Sequence, residues 1–493
     1  MGNASTTSRI DRIAARFEPP FPLRLLGVGL TYAWSSCLWE IPLAVGDAPA
    51  LALQGTLLWL VSAVLTPVAC LVLALMFRGR ELSASNSMYV AGPLLAVAGT
   101  LAALWYPYAS GAAAAFALAV GGVGTGIGPV VLILLWSCEL ARIEPDVAET
   151  AIPASFVTTL LCVLVVPSLS GVAAAVVVAL LPVASGVLLL LTKRSVDQRV
   201  VARFDPTETP HDARVRTANV VRAFVLIAVA YGIGCTAPFL FSAALPPAME
   251  SATTAVGMLV AVAFSALLVV FSTRVDLGAV YRWISVPLVF SLICTAFDSW
   301  AADALSYCLG SVVFTGLEII TVLYFVRLSQ KTNRTVTFLV GIGVCATYTG
   351  VLIGYLAGPF LHGLVMQGVT DAKTCALVLI GVFVVSTLLA PHRDGAWVER
   401  TAPAPELPHE SEATPVAIDP LEARCAALAS AHGLSRRERE VFALLARGRS
   451  RPYIRDTLVL SKNTVATHVK HIYQKLDVHS QQELLDLVQG DEL

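Results

Sequence analysis

The chain has 493 residues, of which 56% are hydrophobic and only 14% are charged. A soluble domain has about a quarter of its residues charged, and a mean hydropathy of +0.75 is too high for a protein whose whole surface meets water. Composition therefore excludes a fully soluble globule and places most of the chain in lipid. The net charge of −1 is a sum over two parts of the chain that differ in composition, so it does not indicate a particular partner.

The sequence offers little evidence of disulfide, metal-binding or catalytic patterns. The ten cysteines lie mostly in apolar runs and form no C-x-x-C pair, so neither a disulfide framework nor a zinc site is predicted. The sequence shows no nucleophile–base pair, phosphate-binding loop or metal-ligand cluster. We therefore expect no enzyme activity, no catalytic residue, no metal and no cofactor.

Residues 1–21 are polar and carry Arg9, Arg12 and Arg16. We interpret them as a cytoplasmic N-terminal segment without a cleavable signal peptide.

Apolar segments of bilayer-spanning length follow, which we interpret as a membrane domain over residues 22–391. The predicted spans are 22–46, 51–76, 87–107, 111–137, 150–169, 171–191, 219–243, 251–272, 283–303, 304–327, 337–360 and 374–391. The ninth and tenth spans almost run together, and Asp303 is the polar marker that we use to place a turn between them.

The basic residues test this count of about twelve spans. With the N-terminus in the cytoplasm, 21 of the 22 Lys and Arg residues before position 401 fall on the cytoplasmic side, and only Lys373 falls outside. This asymmetry follows the positive-inside rule. An even number of spans returns the C-terminus to the cytoplasm, so we expect both termini there, in a bacterial cytoplasmic membrane.

The longest loop, 192–218, is charged and divides the spans six and six. This topology resembles the major facilitator superfamily, whose two halves pack around a cavity near the membrane midplane. The family's transporters usually carry a G-x-x-x-D-R/K loop after the second span, whereas this chain has Phe77-Arg78-Gly79-Arg80-Glu81 there. The departure weakens a transport interpretation and leaves a sensor interpretation intact.

Ionisable residues inside spans are costly and are candidate binding groups. Glu40 lies in the first span, Glu318 near the middle of the tenth, and Asp298 in the ninth. In the family, the first, fourth, seventh and tenth spans line the cavity, which favours Glu40 and Glu318 as ligand-binding residues, with Trp34, Trp39 and Tyr231 as aromatic wall. The alternative is that each acid only fixes helix packing.

Residues 392–421 combine five prolines with acidic residues and no apolar pattern. Such a segment cannot build a core and is typical of an extended linker.

Residues 422–493 have the pattern of a small DNA-binding domain. Ser435 and Glu438 fit a capping box that starts a helix, and Ser461 can cap a later helix. On that later helix, Val465, Val469, Ile472 and Leu476 form one apolar stripe. Between 434 and 489 there are ten Lys or Arg against six Asp or Glu, the charge balance of a nucleic-acid-binding surface.

The blocks L-S-R-R-E-R-E-V at 434–441, L-L-A-R-G at 444–448 and S-K-N-T-V at 461–465 resemble the LuxR-type helix-turn-helix. This resemblance implies double-stranded DNA as partner, a palindromic operator, a homodimer formed through this domain, and possible contact with RNA polymerase. The predicted DNA-binding residues are Ser461, Lys462, Asn463, Thr464, Ala466, Thr467, His468, Lys470 and Lys475.

The sequence thus predicts an all-α polytopic membrane helix bundle with a C-terminal helix-turn-helix. We interpret it as a one-component transcriptional regulator whose membrane domain senses a small molecule. Two alternatives remain open: a transporter with a fused regulatory domain, and a structural anchor that tethers DNA to the membrane without sensing.

Overall fold

The computed structural model describes most of the membrane domain and much of the C-terminal domain. The described residues are 23–39, 53, 56–143, 145–169, 171–199, 213–215, 217–240, 247–271, 277–297, 299–330, 334–387, 398–400, 420–432, 434, 436–447, 454, 462–478 and 481–489.

Within these residues, twelve α-helices lie between Gly27 and Thr387. They are α1 (Gly27–Trp39), α2 (Leu57–Met76), α3 (Met88–Trp105), α4 (Gly111–Ala141), α5 (Pro145–Val165), α6 (Val172–Arg199), α7 (Thr217–Thr236), α8 (Pro247–Phe271), α9 (Leu277–Cys294), α10 (Trp300–Gln330), α11 (Val336–Met366) and α12 (Ala372–Thr387).

Eight helices of the described chain are long and apolar enough to cross a membrane, and three shorter apolar stretches lie at Ala252–Leu267, Ile284–Cys294 and Ala372–Thr387. Large apolar side chains also cover the outside of the bundle: Leu94, Phe290 and Leu377 are each more than half exposed. Such a surface is stable only against lipid. The chain is therefore a polytopic membrane protein with the predicted helical fold, while the count of twelve spans stays a prediction.

The two sets of six helices repeat one packing scheme. In the first set, α1 packs against α5 and α6, α2 against α4, and α3 against α4 and α6. In the second set, α7 packs against α11 and α12, α8 against α10, and α9 against α10 and α12. The two sets meet through α2 with α11 and through α5 with α8, so the contacts between them follow the same correspondence. This is the arrangement of two related halves that the long central loop predicts.

Small residues set the helix spacing inside each half. Gly124 on α4 lies against Gly99 on α3, and a Cβ atom added to Gly124 would be only 2.4 Å from the Gly99 Cα. Any larger residue there would separate the two helices. The glycine-rich stretch of the fourth span thus serves close helix packing, as small residues do in membrane proteins.

The turn between the ninth and tenth helices is placed differently from the prediction. Helix α9 ends at Cys294 and α10 begins at Trp300, so Asp303 lies in the first turn of α10, where it is buried. The Ser299 hydroxyl accepts the backbone N–H of Ala302 at 3.3 Å and so caps the helix. The prediction that Asp303 marks the turn was wrong because it missed this cap. Asp298 lies outside the described residues.

Two short strands join the central loop to the chain that follows the bundle. Strand β1 (Ala213–Val215) pairs antiparallel with β2 (Val398–Arg400), and Arg214 lies opposite Glu399. Among the described residues, the other elements are all helices. The first compact unit of the chain, Met1–Ala402, includes both strands.

The second compact unit is Pro403–Leu493. Its described helices are α13 (Pro420–Ala431), α14 (Arg436–Ala446), α15 (Lys462–Leu476) and α16 (Gln481–Gln489). Their apolar faces share one core, which includes Val441, Leu445, Val469, Ile472 and Leu484. Helix α13 begins two residues before the predicted boundary at 422. The predicted domain limits at 21, 391 and 421 remain predictions.

Candidate functional site

A cavity of about 170 Å³ lies between the two halves of the bundle. Trp34 and Trp39 from α1, Tyr231 from α7 and Glu318 from α10 all line it, so these four predicted ligand-binding residues share one space. The fourth helix contributes Thr125 and Pro129. All four helices that the family resemblance named therefore reach the cavity, together with α2, α8, α9 and α11. Glu40 lies outside the described residues.

Aromatic rings form much of the cavity wall. Trp59 and Tyr355 pack with ring centroids 4.8 Å apart, and Tyr231 meets Phe314 edge to face at 5.3 Å. The indole N–H of Trp34 donates to the Thr100 hydroxyl at 2.8 Å. That internal bond fixes the Trp34 ring, which lines the cavity.

Glu318 lies near the middle of α10 and is half-buried. Tyr231 and Tyr348 line the same cavity as Glu318. Among the described residues that line the cavity, Glu318 is the only Asp, Glu, Lys, Arg or His.

Polar contacts join the two halves at one end of the bundle, where α2 and α10 end and α11 begins. We call this the closed end and define it by Phe77, Glu81, Glu149, Arg327 and Thr335–Thr337. The Glu81 carboxylate accepts the backbone N–H groups of Val336 at 2.7 Å and Thr337 at 3.2 Å, and the Thr337 hydroxyl at 2.9 Å. A carboxylate at the first N–H groups of a helix is favourable because those groups lack partners within the helix and carry partial positive charge.

A second contact of the closed end is the ion pair between Arg327 on α10 and Glu149 on α5, with both side chains largely buried. Nearby, the Gln330 amide donates to the Ala141 carbonyl at 3.0 Å. The cavity-lining residues lie toward the other end of the helices, where the halves also meet through the Trp59–Tyr355 contact.

Sequence reasoning missed the acids of this region. Glu81 was noted only as part of a loop that departs from the family pattern, and Glu149 was not noted. Glu139 is fully buried near the end of α4, where it accepts from the Tyr89 hydroxyl and pairs with Arg142 at 3.3 Å. Their positions in or beside apolar segments were the available signal, but the partners of Glu81 and Glu149 are distant in sequence.

In the C-terminal unit, α15 presents a polar face opposite its apolar stripe. Val469, Ile472 and Leu476 are buried, as the spacing predicts, whereas Thr467 and Lys470 are exposed and His468 is half-buried. Ser461 lies outside the described residues, as do the side chains of Lys462, Asn463, Thr464 and Ala466. The described part of the helix thus offers Thr467, His468 and Lys470 together on its accessible side.

Lys475 has a different environment from the other predicted DNA-binding residues. Its ammonium group is 2.7 Å from the Glu438 carboxylate on α14, and the Glu438 side chain is only 6% exposed. Its carbonyl also contacts the His432 ring at 2.9 Å. Lys475 therefore fastens α15 to the rest of the unit.

Comparison with known proteins agrees with both parts of the chain. Residues 432–488 match the GerE family model, described as bacterial regulatory proteins of the luxR family. The C-terminal unit is thus a LuxR-type DNA-binding domain, which confirms the predicted resemblance. A comparison of the whole chain with curated proteins found no match.

Solved structures resemble the membrane domain. A bacterial homologue of the iron transporter ferroportin, in an outward-facing state, has a TM-score of 0.52 and 17% identity, covering 75% of this chain and 98% of that one. The human organic anion transporter MFSD10 has a TM-score of 0.50 and 13% identity, covering 75% and 97%. The major facilitator superfamily transporter FucP has a TM-score of 0.46 and 12% identity, covering 76% and 98%. The protein joins a membrane domain with a major facilitator-like fold to a LuxR-type DNA-binding domain.

Proposed function

We propose that this protein is a membrane-bound one-component transcriptional regulator of a bacterial cytoplasmic membrane. A small molecule in the cavity would control how the C-terminal domain binds DNA, with both chain termini in the cytoplasm. The observation that carries the proposal is the presence, in one chain, of a DNA-binding domain and a membrane domain with a cavity between its halves. No catalytic step is part of the proposal.

The arrangement of the halves supports a two-state response. Several polar contacts between them lie at the closed end, and the cavity lies between them toward the other end. A ligand that contacts both halves binds one arrangement of them better than another, and it shifts the population by that difference in affinity.

The pairing of β1 with β2 supports a route for the response. Strand β1 belongs to the loop that connects the two halves, and β2 lies in the segment that leads toward the DNA-binding domain. A change in the relative position of the halves would therefore act on the chain that carries that domain.

On the DNA side, we propose that Ser461, Lys462, Asn463, Thr464, Ala466, Thr467, His468 and Lys470 contact the operator. A homodimer through this domain would match a palindromic site. Bound near a promoter, such a dimer could also contact RNA polymerase.

The test uses the intact chain in a bacterial strain with a reporter fused to its operator, found by mapping the sites that the protein occupies. A compound that changes reporter output is then titrated against wild type and Glu318→Gln, which keeps the side-chain shape and removes the charge. We expect a shifted dose-response at unchanged protein level and unchanged site occupancy without compound.

Two results would contradict the proposal. Site occupancy that responds to no compound would favour a structural anchor. Uptake of the compound by membrane vesicles, with reporter output that follows uptake rather than binding, would favour a transporter that also regulates genes.

A further inference from the structure

We infer that the cavity takes an organic cation with a small aromatic or apolar body, and that Glu318 pairs with its positive group. This inference deepens the proposed function and rests on it for the role of the cavity as a ligand site. Three independent properties of the cavity carry it: its charge, its hydrogen-bonding groups and its aromatic surface.

The charge of the lining is one-sided. Glu318 is a carboxylate, and the described residues around the cavity include no lysine, arginine or histidine. An anionic ligand would meet the acid Glu318 with no basic side chain among the described lining residues, which is unfavourable. A cationic ligand would supply the opposite charge that such a site favours.

Several hydroxyl groups of the lining are engaged as donors within the bundle. Five of them donate to main-chain carbonyls of their own or a neighbouring helix at 2.6 to 3.0 Å, namely Thr66, Thr125, Ser291, Ser306 and Ser311. A hydroxyl has one proton and two lone pairs. Once the proton is engaged, only the lone pairs remain for a ligand, so these groups can accept but not donate. These five groups therefore suit a ligand that donates hydrogen bonds or carries positive charge.

The aromatic wall fits the same ligand. Trp34, Trp39, Trp59, Tyr231 and Tyr355 all line the cavity. The faces of such rings attract cations, and the attraction grows when water is excluded. The volume of about 170 Å³ is comparable with that of a protein cavity of about 150 Å³ that accepts one benzene molecule. A single ring with an ammonium group is thus an appropriate size.

The experiment measures binding to the purified full-length protein in lipid nanodiscs by isothermal titration calorimetry. Three probes share a benzyl body and differ in charge: benzyltrimethylammonium is a permanent cation, benzyl alcohol is neutral and phenylacetate is an anion. We expect the cation to bind about tenfold or more tightly than either of the others, because an interaction with a charged partner in a poorly solvated site contributes that much. Equal affinities, tighter binding of phenylacetate, or no binding of any probe would overturn the inference.

Variants locate the effect. Glu318→Gln should weaken binding of the cation about tenfold or more and leave benzyl alcohol unchanged, while Glu318→Asp should retain part of the preference. Asp371→Asn removes an acid outside the cavity and should change no affinity. If Glu318→Gln does not fold, Glu318→Asp provides the test of this role. An affinity of Glu318→Asp equal to that of wild type for all three probes would contradict the role of Glu318.

Operator binding by the same nanodisc preparation separates this inference from the proposed function. Cation binding that leaves operator affinity unchanged would support the ligand class and contradict the regulatory role. A change in operator affinity caused by phenylacetate, with no binding of the cation, would support regulation and contradict the ligand class.

Discussion

Two lysines on α15 show how neighbouring residues of one type acquire different roles. Lys470 is exposed on the face opposite Val469 and Ile472. Lys475 lies one and a half turns further along and pairs with the buried Glu438 carboxylate. Residue type and helix spacing alone predict DNA contact for both, and only their surroundings separate them.

We predict that Lys470→Ala weakens operator binding without lowering the stability of the C-terminal unit. If Lys470 reads a base, the loss is about 1–3 kcal/mol at one base pair, and binding to scrambled DNA changes little. If it contacts a phosphate, binding to both DNAs weakens equally and the salt slope falls by about one charge. We favour the base contact, and titrations of the full-length protein on both DNAs across a salt series distinguish the two.

Lys475→Ala is the matched comparison for that experiment. It leaves the buried Glu438 carboxylate without its ammonium partner, which should cost about 1–3 kcal/mol of local stability. Hydrogen exchange of the α14 and α15 amides would report this loss. Unchanged affinity in Lys470→Ala, with normal exchange, would mean that the recognition surface lies elsewhere on α15.

At the scale of elements, the start of α11 is a place where hydrogen bonds join the first half to the second. Glu81 follows α2 and bonds to the backbone N–H groups of Val336 and Thr337, while the Thr335 hydroxyl donates to the Phe77 carbonyl at 2.9 Å. The Glu81 side chain, from a loop of the first half, thus caps a helix of the second half. Separation of the halves at the closed end would break these bonds together.

We predict that Glu81→Ala opens the closed end more often. The loss of hydrogen bonds to a charged group should cost the closed arrangement about 1–3 kcal/mol. Cys138 is a native reporter, because its buried sulfur lies 3.4 Å from the Thr337 hydroxyl and 3.6 Å from Glu81. Its alkylation by a membrane-permeable maleimide, followed by peptide mass spectrometry, should become about tenfold faster or more.

Asp371→Ala is the control for that change. Asp371 accepts the Thr374 backbone N–H at 2.8 Å at the start of α12, and this bonding holds the pKa of the Asp371 carboxyl below its ordinary value. It therefore caps a helix as Glu81 does, but within one half. Faster alkylation of Cys138 in both variants would show that any lost cap loosens the bundle, and would contradict a specific role for Glu81.

At the scale of the whole molecule, the charge asymmetry of the loops makes a prediction about orientation. Because nearly all basic residues before position 401 fall on one side of the predicted spans, the closed end and both termini should face the cytoplasm. A reporter enzyme that requires the cytoplasm should be active when fused after Leu493. Activity of a periplasm-requiring reporter at that position would show that the number of spans is odd or the orientation inverted.

Similarity of the overall fold does not indicate which ligand this protein binds. MFSD10 is described as an organic anion transporter, yet its identity of 13% with this chain supports the shared fold alone. The single carboxylate among the described cavity residues here favours the opposite ligand charge. The cavity, and not the neighbour, is the basis for the inferred ligand class.

The sequence by itself determined the features that depend on local pattern. Apolar length and periodicity predicted the helices, because each apolar run must satisfy its own backbone hydrogen bonds in lipid. The ordered motif at 434–476 predicted the DNA-binding domain. Topology, through family resemblance, predicted that Trp34, Trp39, Tyr231 and Glu318 would share a cavity, and the structure brings these four residues together.

Only the tertiary structure decided the features that join distant residues. Glu81 and Val336 are 255 positions apart, and no local pattern relates a loop acid to the start of a helix in the other half. Lys475 pairs with Glu438 because folding brings the two residues together, and its contact with DNA stays a prediction. The hydrogen-bonding character of the cavity likewise depends on where each hydroxyl proton is directed. Helices form from neighbours in sequence, whereas ion pairs, caps and cavities form from neighbours in space.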